Sequence, residues 1–104
     1  MVKGYVLASK MLVEQKLPVR FMYHEAPDAP SDSGWRFFSG YETQGYVDLP
    51  ANIGLYGIST ILDIDPSIEP YLSRGKGNVA FTRESDTGGF SVSETFPCLA
   101  DESD

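Results

Sequence analysis

The sequence predicts one α+β domain, a mainly antiparallel sheet of about five strands with one or two short helices. Two patterns carry that expectation. Several short runs alternate apolar with polar side chains, the period of a half-buried strand. Stretches with helical spacing are few and brief. Clusters of Pro, Gly, Ser and Asp punctuate these runs, and no repeat or linker divides the 104 residues.

The elements follow in order. Residues 4–9 are rich in strand formers and open the sheet. Residues 9–16 suit a short helix capped by Ser9, and Pro18 stops it because proline disfavours helical geometry in the residue before it. In residues 19–25, Val19, Phe21 and Tyr23 alternate with Arg20, Met22 and His24, a strand with one buried face. Residues 26–34 gather turn formers and read as a loop. Trp35–Ser39 is an aromatic strand closed by Gly40, and residues 41–54 read as mostly irregular.

Leu55, Ile58, Ile61 and Leu62 then fall at helical spacing, predicting a helix over residues 55–64 with Asn52 as its cap. Pro66 and Pro70 bracket a second short turn or helix ending near Leu72. Residues 77–84 and 90–95 alternate again, joined by the hairpin-loop composition of residues 85–89. The domain is expected to span residues 1–95, with residues 96–104 an acidic tail.

Eight basic and fifteen acidic side chains leave a net charge of −7. Residues 25–69 hold eight acids against Arg36 alone. Such a chain is repelled by phosphate backbones, so nucleic acid is not an expected partner, whereas acidic blocks steer basic proteins into contact. No apolar run approaches the ~20 residues a membrane span needs. The opening residues lack a secretory apolar region, and a lone Cys98 fits a reducing compartment; both point to a cytoplasmic protein.

Chemical groups are sparse. His24 is the only imidazole and reads as a polar-face strand residue; Cys98 has no second histidine to activate it. One Cys and one His cannot supply the four ligands of structural zinc. Asp63 and Asp65 form the best carboxylate pair, which could serve a metal-assisted hydrolase, with Asp48 as a third member. The plainer role for Asp65, which precedes Pro66, is to cap the following turn. Gly75-Lys-Gly77 lacks the spacing of a phosphate loop and reads as a tight turn.

The segment Asp32-Ser-Gly-Trp-Arg-Phe-Phe-Ser-Gly40 stands out. On a strand, Trp35 and Phe37 point one way and Arg36 and Phe38 the other. An exposed second face would present residue types enriched in binding hot spots; a strand buried on both faces would instead pair Arg36 with Asp32 or another nearby acid. An aromatic pocket for a small ligand or peptide, lined by Tyr23, Trp35, Phe37 and Tyr56, is a further reading.

Met22, Tyr23, Glu25, Pro27 and Asp28 precede this segment, and Asn52-Ile-Gly54, Tyr56 and Ile64-Asp-Pro-Ser-Ile68 follow it. Together, from about Gly4 to Val92, these residues resemble the immunity protein 33 family, formerly a domain of unknown function. The resemblance implies a small α+β bacterial protein that neutralises a toxin by direct contact, without catalytic residues, metal or cofactor. With the acidic middle block and the sparse chemistry, this makes Glu25, Asp28, Asp32, Trp35, Arg36 and Phe38 the expected partner-binding residues, the acids as an electrostatic rim and the aromatics as anchors.

Overall fold

Ser9 ends the first strand and starts the first helix: its extended backbone (φ −65°, ψ 141°) and its hydroxyl, which accepts from Leu12 N–H at 3.1 Å, make it an N-cap. The computed structural model describes residues 4–27, 29–74, 79–83 and 89–93. Their elements are β1 (Tyr5–Ser9), α1 (Lys10–Gln15), β2 (Phe21–His24), β3 (Asp32–Phe38), α2 (Gln44–Val47), β4 (Ile53–Tyr56), α3 (Ile58–Ile64), α4 (Glu69–Leu72), β5 (Val79–Thr82) and β6 (Ser91–Ser93). Single 3₁₀ turns occupy Pro50–Asn52 and Pro66–Ile68.

The strands form one sheet in the order β4-β1-β3-β2-β5-β6. Among the described pairs only β1 and β3 run parallel. The expected α+β class with a mainly antiparallel sheet is what the chain adopts. Among the described residues six strands stand where about five were expected, because the fourth was concealed within a helical pattern, and four short helices stand where one or two were expected.

One face of the sheet carries the main core. Val6, Ala8, Met22, Trp35, Phe37 and Phe81 meet Leu12 of α1, Ile61 of α3 and Ile68, all nearly or wholly sealed from water. Each large side chain buried there contributes about 1.5–3 kcal/mol. Trp35 stacks on Phe37 at 5.9 Å and on Phe81 at 6.4 Å, and meets the edge of His24 at 5.3 Å. On the opposite face Phe21, Phe38 and Ala80 form a smaller cluster, flanked by Tyr23, Val47 and Ile53.

Four sequence expectations need correction. β2 is buried on both faces, since it lies inside the sheet between β3 and β5; Met22 is in the main core while Phe21 packs on the other side. Loop composition was expected through Gly34, yet β3 begins at Asp32. The register slips there: Tyr5 faces Asp32 but Leu7 faces Arg36, and Gly34 takes the left-handed region at φ +91°. Leu55 and Tyr56 belong to edge strand β4, and the helix starts later, capped by Gly57 instead of Asn52. The irregular stretch also contains α2, whose N-cap Thr43 accepts from Tyr46 N–H. The Gly75-Lys-Gly77 turn, most of the expected hairpin loop, Cys98 and the tail lie outside the described residues.

Candidate functional site

Period-two alternation sends Arg36 and Phe38 of β3 to the face opposite the main core, where cross-strand pairing sets Phe21 against Phe38 and Tyr23 against Arg36. The rings of Phe21, Tyr23 and Phe38 gather with centroids 5.5 to 6.1 Å apart. β1 adds Leu7, β4 adds Ile53, and α2 with the residue after it raises a wall of Gln44, Val47 and Asp48. A groove of about 370 Å³ lies between them, with Glu25 and Arg36 at one side.

Arg36 is almost wholly buried, and its charge is matched internally. Its Nη1 and Nη2 donate to the two Asp32 oxygens, both at 2.8 Å, a bidentate pair. Its Nε donates to Glu25 Oε2 at 2.7 Å, and Nη1 also reaches the Trp35 carbonyl. The Asp32 hydrogen bonds, against the opposing effect of burial, hold the guanidinium charged even more firmly than usual. Asp32 additionally accepts from Gly34 N–H at 2.9 Å, fixing the bulge. Burial, with Glu25 nearby, raises the Tyr23 phenol above its ordinary value, the Arg36 charge opposing.

The predicted partner-binding residues divide accordingly. Glu25, Arg36 and Phe38 line the groove, Asp32 supports Arg36 from within, and Trp35 lies in the main core on the opposite face. Asp28 is outside the described residues. β3 is thus buried on both faces, with Arg36 paired to Asp32. Of the expected aromatic pocket only Tyr23 reaches the groove, since Trp35, Phe37 and Tyr56 pack on the main core.

The carboxylates named for a hydrolase are not gathered. Asp63 is exposed on α3. Asp65 is buried, accepts from Val19 N–H at 2.9 Å and from Ser67 N–H at 3.1 Å, and pairs with Arg83. It caps the turn after it, as its place before Pro66 suggested. Asp48 borders the groove across the sheet. Among the described residues no three of His, Cys, Asp or Glu come together as a metal site.

Sequence reasoning missed two features. Leu7, Gln44, Val47 and Ile53 line the groove without forming any motif. Glu42 is wholly buried, accepting from Ser9 Oγ–H, Ser39 Oγ–H and Ser39 N–H on Oε2 and from Gly40 N–H on Oε1. Its one available signal was the Ser39-x-x-Glu42 spacing of a capping box.

No helix among the described residues is long and apolar enough to cross a membrane. Residues 6–93, most of the chain, match the Immunity protein Imm33 domain. No curated protein and no solved structure matches.

Proposed function

The chain belongs to the Imm33 immunity protein family, and from that premise we propose that it is a bacterial, cytoplasmic immunity protein that neutralises a toxin by occupying part of its surface. The protein makes and breaks no bonds in doing so. The observation that carries the site is the groove on the second face of the sheet, where Tyr23 and Ile53 stay partly exposed beside the buried ring of Phe38. A rigid sheet presenting aromatic and aliphatic groups beside carboxylates is suited to protein contact, with the anchors central and the charges at the rim.

Within this reading Glu25, Arg36 and Phe38 are contact residues, together with Tyr23, Val47 and Asp48. Asp32 and Trp35 act from behind, the first by holding Arg36 and the second by fixing β3 against the core.

The test is to read the reading frames beside this gene and to co-express the protein with any toxin domain they encode. Restored growth and a stoichiometric complex on size exclusion are expected, and a Val47→Arg or Tyr23→Asp variant that remains folded should lose both. Undiminished toxicity beside the wild-type protein would overturn the reading.

A further inference from the structure

The groove is asymmetric in charge. Arg36, the cation that lines it among the described residues, already donates to Asp32, Glu25 and the Trp35 carbonyl, so it attracts no partner carboxylate. Glu25 keeps 37% of its side chain exposed, and Asp48, which follows α2 and also lines the groove, is exposed and accepts from Gln44 Nε2 at 2.9 Å. Among the described residues that line the groove, Glu25 and Asp48 outnumber Arg36, in a chain of net charge −7. A purely apolar plug would strip water from two carboxylates and give nothing in return. An acidic side chain would meet them directly.

Resting on the reading that this face meets a protein partner, we propose that the groove receives an arginine or lysine side chain of that partner. Its aliphatic stem lies along Leu7, Val47 and Ile53, and its charged head turns to Glu25 and Asp48 beside the Tyr23 ring. The Phe21–Tyr23–Phe38 cluster supplies the low-dielectric floor that strengthens both attractions.

Blocked tripeptides of the form Gly-X-Gly, with X arginine, norleucine or glutamate, test this in amide proton–nitrogen correlation spectra of the whole protein. The arginine peptide should shift the amides of Tyr23, Glu25, Val47 and Asp48. Its binding should weaken about fivefold in Asp48→Asn, and also in high salt, as expected for removing or screening an exposed charge. Asp48→Lys, which places a cation at the groove, should abolish it. Asp48 is exposed, so both variants should melt with the wild type. Equal shifts with norleucine, or none with arginine, would overturn the proposal. Toxin capture is read separately: a captured toxin with an unresponsive groove removes this inference alone, and a responsive groove without toxin capture removes the partner reading.

Discussion

Ser9 and Glu42, 33 residues apart, share a buried hydrogen bond that joins the end of β1 to the turn after β3. The same serine oxygen accepts from Leu12 N–H to cap α1, and the same carboxylate gathers the Ser39 and Gly40 amides. The serine–carboxylate pair therefore ties β1 to the turn after β3, the serine capping α1 and the carboxylate holding the amides that lead the chain toward α2. Among the described residues both oxygens of Glu42 are met by hydrogen-bond donors, which is how a wholly buried carboxyl group is tolerated.

Glu42→Gln should destabilise the protein by about 2–4 kcal/mol, because an amide brings two donors to a site already filled with donors. Ser9→Ala should cost about 1–2 kcal/mol through the lost cap and the lost hydroxyl. The pair should be non-additive, since each variant removes the same bond. Urea unfolding of both single variants and the double variant measures this; strict additivity would show that the bond contributes little.

Arg36→Lys should cost roughly 2–4 kcal/mol although it keeps the charge. A lysine ammonium cannot span both Asp32 oxygens and reach Glu25. Glu25→Gln should cost under about 1 kcal/mol, because its partly exposed carboxylate can exchange its partner for water. The ratio of these effects, from urea midpoints, ranks Arg36–Asp32 as the internal brace and Glu25 as the outward rim.

Backbone geometry separates two glycines. At Gly34 a Cβ would sit 2.4 Å from the Glu25 carbonyl oxygen and 2.8 Å from His24 Nε2, with φ at +91°, so Gly34→Ala should lose the cooperative fold or melt far lower. Gly57 has ordinary extended geometry and no side-chain cap for α3, and a Cβ there would meet only Ser59 Oγ at 3.8 Å. Gly57→Ser should therefore stabilise by about 0.5–1 kcal/mol, through a new cap and a less mobile unfolded chain. Thermal melts of the two variants should move in opposite directions.

The helical spacing from Leu55 onward shows why part of the fold could be read from sequence and part could not. Ile58, Ile61 and Leu62 do share a helix, but Leu55 lies on an edge strand across Gly57, and the residue is 62% exposed. Spacing alone cannot show where one period gives way to another. Strands with clear alternation and the Ser9 cap were legible because their signals are local. The β3 bulge was concealed by its loop-like Ser-Gly composition, and the groove by its assembly from β1, β2, β3, α2 and β4. Leu55→Ala should change stability by under about 0.5 kcal/mol. Ile61→Ala should cost about 2–5 kcal/mol, a contrast that a continuous helix would not produce.

Alkaline pH should weaken the fold through Tyr23. Its phenol titrates above the ordinary value of 10.0 in the folded state, chiefly because burial disfavours the phenolate and secondarily because Glu25 is close. The folded chain therefore holds this proton more tightly than the unfolded one. That contribution is fully present below the unfolded value and is lost as pH rises past it through the folded value. Tyr56, raised first by burial and then by Glu14 and Tyr46, acts in the same direction. Urea midpoints between about pH 9 and about pH 11 should fall for the wild type and fall less for Tyr23→Phe, with Tyr23→Phe/Tyr56→Phe flatter still. Phenolate absorbance should show the Tyr23 component emerging late in the folded protein and early in urea. An identical decline in all three proteins would locate the alkaline sensitivity elsewhere.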